Sequence, residues 1–329
     1  MIDRRTFVAI TGGALLGVTL NLRAQGKVTA RRIGFLSAFA HGEVEALLSE
    51  LRSELEKLGW IDGRNIEFLE IRTTEGRNER LPTLAAELAA QRPDLILVQS
   101  VPATRALMQA TKSIPIVMIG VGSPLEVGII ADYSRPGGNV TGASYLADES
   151  ISKLLQFLKE AAPRLRSVAV FSNPTNAAAA PMVKILRAEA GSLGMRMQVV
   201  EVSGKGDFEA AFADIRRANT ESILLPPEPL IRSNRGAIAD FAQAHGLPLA
   251  VTGSSRYLPA SGLISYGPTT TQYAQIAARY VDRILRGANP GDLPVEQPSR
   301  FELAINLKTA KALGLTIQQT LLNRAEIIQ

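Results

Sequence analysis

The sequence predicts an α/β protein of two lobes, each built on a parallel sheet, with a ligand cleft between them. Three observations predict it. Short, continuous apolar runs alternate with longer stretches whose apolar residues recur at helical spacing, the pattern of a sheet covered on both faces. The second half of the chain repeats the order of events of the first. And 329 residues are long for one core but comfortable for two of roughly 120–150 residues.

The elements follow in order. Ile33–Leu36 is a first strand, and Glu43–Leu58 carries Val44, Leu47, Leu48, Leu51, Leu55 and Leu58 on one helical face before Gly59 ends it. Ile66–Ile71 is the next strand and Leu81–Ala90 a helix. Leu95–Val98 is an apolar strand after which Pro102 opens a helix; Ile116–Ile119 and Val140–Ala143 complete the set. In the second half Val168–Phe171 answers Ile33–Leu36, and Ser222–Leu225 answers Leu95–Val98. Leu193-Gly194 answers Leu58-Gly59 at an offset of 135, and Leu247–Val251 answers Ile114–Met118 at 133. Gly262–Gly267 answers Gly138–Gly142. Asp148–Ala162 and Thr270–Arg286 are long helices after each half's last strand, where the chain can cross between lobes. The expected lobes are therefore 30–146 with about 268–290, and 147–267 with about 299–329. Pro290–Pro298 is a connector, and Phe301–Ile305 with Lys308–Leu313 gives a last strand and helix.

Residues 1–24 read as an export signal. Arg4-Arg5 and Phe7 precede a mildly apolar run from Val8 to Leu20, and small Ala24 closes it, as in a twin-arginine signal. Removing that segment takes away three arginines and one aspartate, which lowers the net charge from +5 to +3. Such a charge, without a basic cluster interleaved with aromatics, argues against nucleic acid as a partner. The absence of cysteine excludes disulfides, thiolate metal sites and cysteine catalysis, and two histidines leave no multi-histidine metal site. No metal or redox cofactor is implied, and catalytic constellations are poor. His41 could serve as a general base, but no partner can be assigned to it.

In an open parallel sheet, ligands sit beyond the carboxyl ends of the strands. Those loops hold Ser37 and Phe39, then Ser100, Val101, Pro102 and Ala103, then Gly122 and Ser123 in the first lobe. In the second they hold Asn173, then Pro226–Pro229 around Glu228, then Ser254. Ser100 before Pro102 reads as a helix cap whose free N–H groups could hold a carboxylate. Glu228, the one acid in these loops, is either the partner of a ligand ammonium or a surface acid in a Pro-rich turn. Asn173 is equally an Asx turn. Phe39, Tyr145, Tyr257 and Tyr266 could stack on a ligand or serve as packing.

Several motifs carry a resemblance. Gly59-Trp60-Ile61-Asp62-Gly63-Arg64-Asn65-Ile66, Arg80-Leu81-Pro82, Pro136–Gly142, Ser265-Tyr266-Gly267, Leu293–Pro298 and Ile305–Ala310 occur in this order. Together they resemble the bacterial ABC transporter substrate-binding proteins that include tryptophan- and tyrosine-binding periplasmic members. The resemblance covers residues 30–325 and implies a type I periplasmic-binding fold of two Rossmann-like lobes, with ligand captured between them. Two positions depart from it. Ser123-Pro124 stands where the family has Asp-Pro, and Pro227-Glu228-Pro229 stands where it often has Pro-Asp-Pro. The resemblance implies a periplasmic monomer that hands a small, amino-acid-like ligand to an inner-membrane ABC permease. An exported sensor for a membrane receptor, or an exported hydrolase using the same cleft, are the alternatives.

Overall fold

The structure, a computed structural model, describes residues 30–145 and 147–329. The twin-arginine signal read in residues 1–24 lies outside the described residues. The first half runs β1 (Arg31–Ser37), α1 (His41–Lys57), β2 (Ile66–Phe68), β3 (Arg72–Thr73), α2 (Leu81–Ala90), β4 (Leu95–Gln99), α3 (Val101–Ala110), β5 (Ile116–Gly122) and β6 (Val140–Tyr145). Its sheet has the order β2-β1-β4-β5-β6, with β3 also on β1, and every pairing is parallel.

The second half runs α4 (Ala147–Ala161), β7 (Ser167–Ser172), α5 (Ala179–Ser192), β8 (Arg196–Glu201), α6 (Phe208–Arg217), β9 (Ile223–Leu225), α7 (Pro229–Ser233), α8 (Arg235–Ala244), β10 (Leu249–Thr252) and β11 (Ile264–Pro268). It ends with α9 (Thr270–Leu285), β12 (Phe301–Asn306), α10 (Leu307–Ala312), α11 (Gln319–Leu322) and β13 (Glu326–Ile328). These strands form a second sheet in the order β13-β12-β11-β10-β9-β7-β8.

The two sheets exchange helices. Chain leaving β6 of the first sheet forms α4, whose Ile151, Leu154, Leu155 and Leu158 pack on Val168, Val170 and Leu224 of the second. Chain leaving β11 of the second sheet forms α9, whose Ala274, Ala277, Val281 and Ile284 pack with Ile33, Phe35, Leu47 and Leu51 of the first. The Trp60 indole N–H donates to Asp282 at 2.8 Å, so the Gly59–Ile66 motif fastens α1 to α9. The Pro-rich connector returns along β6, where Ser144 donates to the Glu296 carbonyl and Glu296 to that of Gly142, both at 2.9 Å.

Two expectations need correction. The strand expected over Ile66–Ile71 is shorter, Ile66–Phe68: the chain leaves β1 after Leu69 and pairs again only beyond the expected range, where Arg72 and Thr73 face Leu36 and Ser37. The second sheet is not wholly parallel: β12 runs antiparallel to β11, Ile305 facing Ile264 and Phe301 facing Pro268. That strand is reached by the irregular connector, and without a covering crossover helix a parallel approach is not required.

Candidate ligand-binding cleft

The carboxyl ends of both sheets face one cavity of about 100 Å³. The first sheet contributes Phe39, Gln99, Ser100, Val101, Gly120, Gly122, Ser123 and Tyr145 to its wall. The second contributes Asn176, the Pro227–Pro229 turn, Arg232, Gly253 and Tyr257; Thr270 and Tyr273 enter from α9. The walls are largely aromatic and apolar, with Leu47, Ile119 and Met182 also lining them.

Ser100 does start a helix. Its Oγ accepts the Ala103 N–H at 3.4 Å, and its carbonyl accepts the Thr104 N–H at 3.1 Å and the Thr104 hydroxyl at 2.8 Å. Pro102 has no N–H. Of the helix's first donors, the Val101 N–H is therefore what remains for a ligand. The serine adopts φ +79° to make the turn, a region that residues other than glycine seldom enter.

Glu228 occupies the matching place in the other lobe, and it is only 2% exposed. Its Oε2 accepts the Ile231 N–H and its Oε1 accepts Asn173 Nδ2, each at 2.9 Å, with Asn176 and the Leu230 N–H adding to them. Burial pushes its carboxyl above the usual carboxylate range, against the pull of those donors. Glu228, read from sequence as an ammonium partner or a surface acid, is a buried residue that caps α7 and lines the cavity. Asn173 is part of the same bracket: its Oδ1 takes the Thr175 N–H and hydroxyl, and its amide holds Glu228.

Arg232 lies one helical turn beyond Glu228. Its guanidinium stacks 4.1 Å from the Tyr257 ring centroid and 5.2 Å from that of Phe39. Nη2 donates to the Thr252 carbonyl at 2.9 Å, and Nη1 stands 3.8 Å from Glu43. The Tyr273 ring lies against Gly120, where a Cβ would be 3.0 Å from the ring; this close approach, at φ +69°, requires glycine. The Tyr273 hydroxyl and Thr270 Oγ1 are buried without a hydrogen-bond partner. Burial raises the Tyr145 phenol to about 12 and the Tyr273 phenol well above its ordinary value, so both are neutral near pH 7.

Six of the residues picked from sequence stand on the wall: Ser100, Val101, Gly122, Ser123, Tyr145 and Glu228. The other six do not. Ser37 is beneath it, donating to Gln99 Oε1 at 3.3 Å and accepting the Phe39 N–H at 3.1 Å. Pro102 and Ala103 turn away along α3, Ala103 into the core. Asn173 braces Glu228, and Ser254 accepts the Tyr257 N–H in the turn that presents that ring. Tyr266 packs between Phe157 and Phe301, with centroids at 5.0 and 5.6 Å, on the second lobe's core. His41 is exposed and lies 3.7 Å from Glu45 on its own helix. Sequence reasoning missed Arg232, Thr270 and Tyr273. For Thr270 and Tyr273 the available signal was the loop after β11, which obeys the same strand-end rule as the loops that were chosen; Arg232 lies in α7, just past the chosen loop after β9.

The lobes touch across the cavity mouth. Glu43 of α1 accepts from Arg235 and approaches Arg232, and Glu50 lies 3.2 Å from Arg256. Gly76 abuts Leu230 of α7 so closely that a Cβ would fall 2.6 Å from the Leu230 Cα. This is a closed arrangement.

Comparisons with known proteins agree with this architecture. The chain is 25% identical to a tyrosine-binding protein of Clostridioides difficile over 286 residues, 87% of this chain and 81% of the relative. Among solved structures it is similar to a conserved domain protein from Vibrio cholerae, at 26% identity and TM-score 0.85, covering 91% of this chain and all of the other. It is also similar in fold to an ABC domain from Streptococcus pneumonia in complex with L-Trp, at 23% identity and TM-score 0.82, covering 92% of this chain and all of the other. The sequence model for ABC transporter substrate binding proteins matches residues 32–328. Members of that family bind substrates and do not convert them, and this chain belongs to the ABC transporter substrate-binding protein family.

Proposed function

We propose that this protein is the exported solute-capturing component of an ABC importer, holding a small aromatic, amino-acid-like molecule between its lobes and presenting the closed form to a membrane permease. The observation that carries the reading is a cavity walled by both sheets, in which the rings of Phe39, Tyr145, Tyr257 and Tyr273 surround a few polar groups. The names of the tyrosine-binding relative and of the L-Trp complex support an aromatic ligand. Arg4-Arg5 and the short apolar run support export, and no helix among the described residues is long and apolar enough to cross a membrane. The released protein acts as a monomer in the periplasm.

The mechanism is a population shift. A ligand that touches both walls at once favours the closed state, and moving from mostly open to mostly closed requires about 5.5 kcal/mol of differential affinity. Aromatic burial supplies part of this, at roughly 25 cal/mol per Å² of apolar surface. Hydrogen bonds to charged groups add about 1.5–3 kcal/mol each. Native mass spectrometry of freshly purified protein should show a small-molecule adduct, released on denaturation and absorbing as an aromatic. A protein that carries no adduct and gives no calorimetric signal with aromatic acids contradicts the reading.

A further inference from the structure

Resting on the reading of an aromatic, amino-acid-like ligand, we propose that the cleft recognises a carboxylate through Arg232 and provides no free counter-charge for an α-ammonium, so that among amino-acid-like molecules it prefers aromatic carboxylic acids lacking the amino group.

The charges on the wall are unequal in availability. Among the described residues that line the cavity, Glu228 and Arg232 are the only carboxylate and the only cation. Glu228 has both oxygens engaged by Asn173 and Ile231, is nearly inaccessible, and holds the start of α7. An ammonium seeking it would have to displace these bonds. Arg232 is placed differently. A guanidinium has five N–H donors, and the Thr252 carbonyl takes one of them. Glu43 stands at 3.8 Å, outside hydrogen-bond range, and itself binds Arg235 more closely. The rings of Tyr257 and Phe39 flank the guanidinium, whose Nη2 is held by the Thr252 carbonyl; Nη1 faces Glu43 at 3.8 Å without a hydrogen bond, so it and Nε keep donors that a carboxylate can take.

The neutral groups do not alter this. The buried Tyr273 hydroxyl and Thr270 Oγ1 have no partner in the fold. Both residues line the cavity, so these hydroxyls are available to a ligand atom. Both line the cavity with Arg232, and Val101 lines it from the other lobe. Hydroxyls donate and accept alike, so the preference rests on charge: the site has one cation with donors to spare and no free anionic acceptor. Placing an ammonium there removes its hydration without an opposite charge in exchange.

The test compares four probes by calorimetry on the full protein stripped of bound ligand: L-tryptophan, 3-(indol-3-yl)propionate, tryptamine and indole. We expect indolepropionate to bind about tenfold or more tightly than L-tryptophan, the scale of one hydrogen bond to a charged group, and tryptamine to give no signal. Tryptophan binding as tightly as indolepropionate, or more tightly, overturns the proposal and leaves the aromatic reading intact. No binding by any of the four, nor by the corresponding phenol series, overturns both. Arg232→Gln should weaken indolepropionate about tenfold or more while indole changes little. An equal loss for both probes means that Arg232 acts through packing alone, which also overturns its assigned role. Because the readout is a ratio of affinities, a general loosening of the fold does not imitate it.

Discussion

The starts of α3 and α7 are the same device used twice. Each follows a buried strand, β4 or β9, and each has a capping side chain followed by proline in the first turn. Their chemistry is opposite. In the first lobe a neutral serine at φ +79° makes a 3.4 Å cap and leaves a backbone donor at the cavity. In the second, a carboxylate at φ −106° makes a 2.9 Å cap and gathers donors from two loops. Both turns line the cavity, but the carboxylate of the second is already held by its own loops. A charge in a strand-end loop becomes a binding group only if the fold has not already satisfied it.

The largest expected effect falls on the clamp. Glu228→Ala leaves the Ile231 N–H and the Asn173 amide buried without an acceptor, at about 1–3 kcal/mol for each unsatisfied group. Urea unfolding should show a loss of about 3 kcal/mol. A loss below half of that would mean the loops rearrange freely around the gap. The milder Glu228→Gln tests the electrostatics. Burial raises this carboxyl's folded pKa, so its favourable share of stability is complete below the unfolded value of about 4.3 and is lost as pH rises through the raised value. Wild-type stability should therefore fall relative to Glu228→Gln as pH increases across that window. A difference that is constant with pH, or of the opposite sign, removes the argument.

The helix that Glu228 starts is also where the first lobe lands. Gly76→Ala places a methyl group 2.6 Å from the Leu230 Cα, at a residue with φ +84°. Overpacking of this kind costs about 1–3 kcal/mol. Because Leu230 belongs to the opposite lobe, ligand affinity should drop about tenfold or more by calorimetry, on the same scale. An unchanged affinity would show that the Gly76–Leu230 contact is no part of closure. The smallest effect is expected at the other cap. Ser100→Ala should lower stability by about 1 kcal/mol through the lost cap, whereas Ser100→Gly should lose less, since glycine adopts φ +79° without strain. Thermal melts of the two variants separate the cap from the backbone term, and glycine falling below alanine would refute the strain.

Much of the fold was legible because its strands are continuous apolar runs. Leu95–Val98 and Val168–Phe171 have every residue buried, and such runs declare themselves without alternation. β8 was not legible: Arg196–Glu201 is a sheet edge, buried fully only at Val200, and its residues do not read as a core strand. The antiparallel β12 was legible as a strand but not in direction, since direction depends on where the connector lands. At the site, strand-end loops were readable from order alone. Arg232 was not, because its place comes from Phe39 and Tyr257, rings distant in sequence and brought together by closure. Tyr266 misled for the converse reason: its partners Phe157 and Phe301 come from α4 and β12, which cover that end of β11.

The central claim is that ligand is held by both lobes at once, so that binding and closure are one event. Small-angle X-ray scattering tests it most directly, on protein stripped by partial unfolding and refolding and on the same protein saturated with the ligand that native mass spectrometry identifies. The account predicts a smaller radius of gyration and a shorter maximum dimension with ligand, matching the closed arrangement in which Glu43 meets Arg235 and Gly76 meets Leu230. Superimposable profiles at independently verified saturation would contradict it.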